Sequence, residues 1–351
     1  MIEPRQSEEP LEPSPLEEPS PPEPPATTES SARPASSPPP AGGLRASGLW
    51  AWLQLLRVPN LLTVPGDAIA GFLLAQAAGL SAARPQLRLA LAGAVSLLIY
   101  AAGLLWNDWF DLPEDLRERP SRPLPSGRVR PGPVALVANV LVAASIAVAA
   151  VAGRTTLWVT VVLGAVVLAY DMALKRVPLI GPLAMGSCRG LSVLVGAAAL
   201  GADGLTRAPV IAAAAGITLY VAAVTWLARG ETRQRDVTMQ CAAIVAALFA
   251  WLAAVVAALL LATNAIQQTW DWAFPVLGVL AGLWLAGCIV GLGQRPQPRA
   301  VQRTVGRLIS GIVLVQAALA LLGGWTGLTI AIGLMACFVL NRLLGRVFYA
   351  S

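Results

Sequence analysis

The chain has 351 residues, of which 56% are hydrophobic and 13% charged, and it contains no histidine. A mean hydropathy of +0.66 with so little charge excludes a soluble enzyme, in which charged residues approach ~25%. Chemistry that needs imidazole as ligand or base is excluded with it. The charge is divided unevenly: residues 1–40 hold 13 of the 28 prolines and 8 of the 19 acids against Arg5 and Arg33 alone, which leaves the rest of the chain strongly basic.

Residues 1–43 read EPLEPSPLEEPSPPEPP followed by a Ser/Ala/Pro stretch ending in Gly42-Gly43. Such a segment buries too little apolar surface to offset the entropy of ordering, so a disordered tail is expected, with a PxxP ligand as the alternative. It lacks the basic and apolar regions of a secretory signal. A single membrane domain is expected over 44–351.

From Trp50 onward the chain is a series of apolar stretches, each long enough to cross ~30 Å of hydrocarbon. Spans are predicted near 59–79, 87–107, 133–152, 155–172, 182–201, 209–228, 238–263, 272–292, 304–322 and 325–342. These make ten, or nine if the last two form one hairpin broken at Gly323-Gly324. In hydrocarbon each segment must satisfy its own backbone, so the expected fold is all-α and polytopic. Gly278, Gly282, Gly287 and Gly291 are expected to let helices approach closely. With the N-terminus inside, twenty basic residues fall on inner segments, against Arg84, Arg88, Arg154 and Arg207 outside. That asymmetry predicts a cytoplasmic N-terminus and cytoplasmic loops after every second span. Cys188, Cys241, Cys288 and Cys337 all fall within spans and read as packing residues.

The informative segment follows the second span: NDWFDLPEDLRERPSRPLPSG, residues 107–127. Asn107 and Asp108 lie four and three residues before Asp111, so all three share one face of a helix end, with Asp115 continuing that face if the helix survives Pro113. Converging carboxylates repel one another unless a cation sits between them, and oxygen-rich sets suit Mg²⁺ sharing its shell with phosphates. Arg117, Arg119 and Arg122 follow, suited to phosphate oxygens, and three prolines impose a non-helical loop. An ordinary acidic–basic loop at a membrane surface is the alternative reading.

Other ionisable residues lie in or beside spans, where they cost enough to be site candidates. Asp67 lies in the first span, after Arg57 and Asn60. Tyr170 and Asp171 end the fourth, with Lys175, the only lysine, one turn on; Arg189 lies in the fifth. Arg229, Glu231, Arg233 and Asp236 gather after the sixth. Together they describe a polar mouth over an apolar bundle, suited to a phosphorylated head and a greasy tail.

At these residues the chain resembles the UbiA superfamily of intramembrane prenyltransferases. NDWFDLPEDLRERPSRPLPSGRV is similar to its first aspartate-rich motif, LLRVPNLLTVPGDAIAG to its first helix, and AYDMALKRVPLIGPLAMGSCRGL to its fourth-to-fifth helix passage, over about residues 50–320. The resemblance implies a bundle of nine to ten transmembrane helices around a cytoplasm-facing cavity in the plasma membrane. It implies Mg²⁺ and a prenyl diphosphate donor at Asn107, Asp108 and Asp111, Asp115 completing the motif, and Arg122 and Lys175 on diphosphate oxygens. Asn60, Arg117, Tyr170, Arg189 and Arg229 are further substrate-binding candidates, and Asp67 or Asp171 the base for the final proton. Phe72, Tyr100, Trp106 and Tyr220 are expected as cavity walls. The second acidic motif departs from the pattern: the region reads LARGETRQRD, with Glu231 at the expected depth as metal and substrate ligand and Asp236 five residues on. That form resembles the divergent, EboC-like branch.

The function implied is Mg²⁺-dependent transfer of a prenyl group to an aromatic or other lipophilic acceptor in the bilayer, with no nucleic-acid partner. At the altered second motif Arg229 or Arg233 could replace a metal by touching the diphosphate directly, and the alternative function is a non-catalytic homologue that binds or handles prenyl-lipid precursors. A transporter is disfavoured because no repeat with matching broken helices is visible.

Overall fold

A computed structural model of the chain describes residues 48–229, 244, 273–290 and 298–348. The predicted tail, the predicted span at 238–263 apart from Ile244, and the residues Glu231, Arg233, Asp236, Cys241 and Gly291 lie outside them. The described residues belong to one unit, Gly43–Ser351, and among them every regular element is a helix.

Prolines and glycines set where the helices begin. A short α1 (Gly48–Leu55) leads into α2 (Val58–Leu61) and α3 (Pro65–Ala77), so the first predicted span is broken rather than continuous. Pro65 is the cause: it has no N–H to give, and the Asp67 N–H bonds instead to the Val64 carbonyl at 3.1 Å. The Thr63 carbonyl is thereby left for side chains. Next come α4 (Pro85–Phe110), α5 (Leu112–Glu118), α6 (Pro131–Ala152), α7 (Arg154–Met172), α8 (Ile180–Ala198) and α9 (Ala208–Arg229). They are followed by α10 (Ala273–Val290), α11 (Pro298–Ala320) and α12 (Gly324–Phe348). Single 3₁₀ turns at Leu174–Arg176, Ala202–Thr206 and Leu321–Gly323 join neighbours. Among the described residues eight helices are long and apolar enough to cross a membrane, α2 and α3 counting as one, and Val276–Val290 is a shorter apolar helix.

The bundle has a centre and a rim. In the α2–α3, α8 and α11 spans 67%, 61% and 67% of the most apolar window is buried, against 22% in α6 and 22% in α12, so the first three form the core and the last two face outward. α3 packs on α8, α4 and α11, while α8 also packs on α7 and α9. The α3–α8 seam is antiparallel and very close. A methyl on Gly71 would collide with the Val193 carbonyl oxygen, and one on Gly196 with that of Ala68. The small-residue approach predicted for α10 is not found at Gly287, where an added methyl meets nothing within 4 Å. Gly278 and Gly282 are buried. Phe72 and Tyr220 are also core residues, 1% and 0% exposed, and Tyr220 Oη donates to the Leu308 carbonyl at 3.1 Å; these two rings wall no cavity.

Candidate active site

The acidic motif straddles a helix junction. Asn107 and Asp108 lie in the last turn of α4, Asp111 caps it, and α5 starts at once because Pro113 suits a first helical turn. The Asp115 N–H still bonds to the Asp111 carbonyl at 2.8 Å, so the chain bends without unravelling. The loop that follows is turn-rich and tied down at both ends. Leu124 and Val129 are buried in a small apolar cluster with Leu55, Leu105 and Val134. Arg128 donates to Gln54 Oε1 and the Ser121 carbonyl, each at 2.9 Å.

Each carboxylate of the motif carries a cation. Arg57 Nη2 lies 2.8 Å from Asp108 Oδ1. Lys175 Nζ lies 2.6 Å from Asp111 Oδ1 and donates to Asn107 Oδ1 at 3.3 Å. Arg122 Nη1 lies 2.7 Å from Asp115 Oδ2. Asp115 is thus paired within its own loop, while Asn107, Asp108 and Asp111 face cations from α7's end and from the turn before α2. Arg117 is exposed on α5.

Lys175 reaches the motif from the 3₁₀ turn after α7. Arg229, at the end of α9, clamps that turn: Nη1 donates to the Val177 carbonyl at 3.1 Å and Nη2 to that of Lys175. Its guanidinium occupies the space a side chain on Gly181 would fill. Arg229 therefore holds the carrier of Lys175. Asp171, one turn before Lys175, is 3% exposed, and its Oδ2 has no hydrogen-bond partner among the described residues. Tyr170, half-buried, precedes it.

Asp67 and Arg189 form a separate centre inside the bundle. Arg189 Nε lies 2.6 Å from Asp67 Oδ2, with the two side chains 7% and 0% exposed. Arg189 Nη2 donates to the Thr63 carbonyl at 3.0 Å and Nη1 to Thr63 Oγ1 at 3.3 Å. Gln316 of α11 donates to the same carbonyl at 2.9 Å and to Asp67 Oδ1 at 2.6 Å. Asn60 links the two centres through its backbone. Neither Arg57 as the partner of Asp108 nor Gln316 carries a local sequence signal; the only hint is Pro65, which predicts an orphaned carbonyl in need of a donor.

Among the described residues no three acidic or cysteine side chains converge closely enough to hold a metal ion unaided. What converges is two oxygens, Asn107 Oδ1 and Asp111 Oδ1, on one ammonium, with Asp108 alongside. That partial set fits a hydrated divalent cation that draws its remaining ligands from water and phosphate, and does not fit a dedicated protein cage.

A model of the UbiA prenyltransferase family matches residues 67–304. Digeranylgeranylglyceryl phosphate synthase of Methanoculleus marisnigri is 30% identical over 178 residues, covering 51% of this chain and 58% of that protein. The Methanopyrus kandleri enzyme of the same name is 32% identical over 148 residues, 42% and 52% of the two chains. The chain thus matches between half and three-fifths of these relatives' length. Among solved structures, a digeranylgeranylglyceryl phosphate synthase superposes with a TM-score of 0.54 at 20% identity, covering 78% of this chain and 97% of that one. A UbiA homolog from Archaeoglobus fulgidus bound to GPP and Mg²⁺ gives 0.54 at 15% identity, covering 76% and 99%. These likenesses show a shared fold, and with the family model spanning most of the membrane bundle, this chain belongs to the UbiA prenyltransferase family.

Proposed function

We propose that the protein transfers a prenyl group from a prenyl diphosphate to a lipophilic acceptor within the membrane, with Mg²⁺ as its cofactor. One observation carries the reading: within about one helical turn Asn107, Asp108 and Asp111 present oxygens that are partnered by Lys175 and Arg57. Asn107, Asp108 and Asp111 would hold the ion, which when bound offsets charge on the departing diphosphate. Lys175 and Arg57, released from the carboxylates, then have donors for diphosphate oxygens. Arg122 and Asp115 order the loop over the mouth, and Arg229 keeps Lys175 in reach.

In the reaction the bond between the allylic carbon and the diphosphate oxygen breaks, and its electron pair leaves on the diphosphate. The acceptor donates an electron pair to that carbon and loses one proton. Asp171 is the base we assign, because its Oδ2 has no hydrogen-bond partner among the described residues, whereas Asp67 is ion-paired to Arg189 through Oδ2 and accepts from Gln316 through Oδ1. Exclusion of water protects the electron-poor carbon.

The relatives named digeranylgeranylglyceryl phosphate synthase support an acceptor built on glyceryl phosphate ahead of an aromatic one. The asymmetry of basic residues supports a cytoplasmic mouth in the plasma membrane.

The test is diphosphate release by purified protein given geranyl, farnesyl and geranylgeranyl diphosphates, with glyceryl-phosphate lipids in one arm and aromatic acceptors in another. Release that requires Mg²⁺, Asp108 and Asp111, with a prenylated product by mass, is expected. Tight Mg²⁺-dependent donor binding without product in either arm would favour the non-catalytic alternative.

A further inference from the structure

The polar centre inside the bundle is not explained by the chemistry of the mouth. An ion pair as fully buried as Asp67–Arg189 is expensive in hydrocarbon, where ionisable residues by default serve function. Thr63 and Gln316, 0% and 1% exposed, flank the stretch that matches the family model, while Asp67 and Arg189 lie within it.

A continuous series of hydrogen bonds runs from it to the acidic motif. Gln316 Nε2 and Arg189 Nη2 donate to the Thr63 carbonyl at 2.9 and 3.0 Å. Thr63 Oγ1 donates to the Asn60 carbonyl at 2.8 Å, the Asn60 N–H to the Arg57 carbonyl at 2.7 Å, and Arg57 Nη2 to Asp108 Oδ1 at 2.8 Å. Arg57 sits at φ +44°, a left-handed backbone that a residue with a Cβ adopts only when its surroundings hold it there. The break made by Pro65 would otherwise leave α2 a loose four-residue piece. Gly66 completes the arrangement, because a methyl there would collide with the Gln316 carboxamide.

We infer that Gln316 and Arg189 are positioning residues of the diphosphate site, holding Arg57 against Asp108 through the broken first membrane helix. Their influence on substrate rests on the proposed function above; the mechanical link does not. The full chain in detergent tests both, using Gln316→Leu, Arg57→Ala and the double variant, with Mg²⁺–pyrophosphate affinity by calorimetry and amide hydrogen exchange at Asn60 and Thr63.

Gln316→Leu is expected to exchange those two amides about tenfold faster and to bind pyrophosphate about tenfold more weakly, the scale of one hydrogen bond to a charged network. In the Arg57→Ala background it should add no further loss of affinity. Losses that multiply, or normal affinity in Gln316→Leu, would overturn the inference, and so would unchanged exchange. If the wild-type chain binds no pyrophosphate, the proposed function fails, and exchange alone decides the link. Should Gln316→Leu not fold, Gly66→Ala, which displaces the carboxamide from the other side, is read in the same way.

Discussion

The mouth and the interior centre are both built of acid–base pairs, yet the pairs differ in kind. At the mouth, Arg57 and Arg122 are 33% and 32% exposed, and each meets its carboxylate through one nitrogen. Inside, Arg189 is 7% exposed and uses three nitrogens on two residues, and Asp67, at 0%, has both oxygens engaged. An ion pair whose cation is about one-third exposed is worth little. A buried, multiply bonded pair is costly to form and costlier to break. Under the proposed function the mouth trades its cations for an ion and a diphosphate, while the interior pair stays in place.

Six substitutions test that contrast, the largest effect first. Asp108→Asn or Asp111→Asn should cut Mg²⁺-dependent diphosphate release by about 10²–10³, with the melting temperature in detergent close to that of the wild type. Arg189→Met alone should lose about 3–5 kcal/mol of stability, measured by thermal unfolding, because Asp67 is left buried without its partner. The double replacement Asp67→Leu with Arg189→Met should recover most of that loss. An additive result would mean that the two residues do not act as a pair.

Lys175→Met sharpens the other half of the contrast. It removes the ammonium competing for Asn107 Oδ1 and Asp111 Oδ1, so the substrate-free protein should bind Mn²⁺, followed by electron paramagnetic resonance, several-fold more tightly. Pyrophosphate affinity should fall about tenfold at the same time, since a charge-assisted donor is lost. Opposite signs for cation and anion are what an exchangeable pair predicts. Smallest of all, Arg128→Ala should change stability by no more than about 1 kcal/mol in thermal unfolding, because buried Leu124 and Val129 still anchor the loop.

Most of the fold was legible because hydrocarbon leaves few options. Long apolar stretches ending at prolines and arginines announce helices, and nine of the ten predicted spans have a described helix at the expected place. The acidic motif was legible for a similar reason: three oxygens on one helical face need a cation. What resisted reading was pairing over distance. Nothing near Arg57 says that its partner is Asp108, 51 residues away, and Gln316 lies 249 residues from Asp67. Composition also misdirected the reading of close contacts. Gly287 of α10 looked like part of a contact surface and faces open space, whereas α3 against α8 and α8 against α9 make close seams, where carbonyl oxygens of one helix lie against glycines of the other. Arg229 shows a third limit: its residue type suggested phosphate binding, while its position gives its donors to the backbone.

The seam of Gly71 and Gly196 acts as the fixed jaw of a vice. Two hydrogen atoms set its width, and any side chain there would force carbonyl against methyl. A lineage adapting to a bulkier isoprenoid would have no room to negotiate at that jaw. Its accommodating changes should collect on the rim helices α6 and α12, which leave most of their surface unburied, and libraries selected for such substrates should leave α3 and α8 nearly untouched.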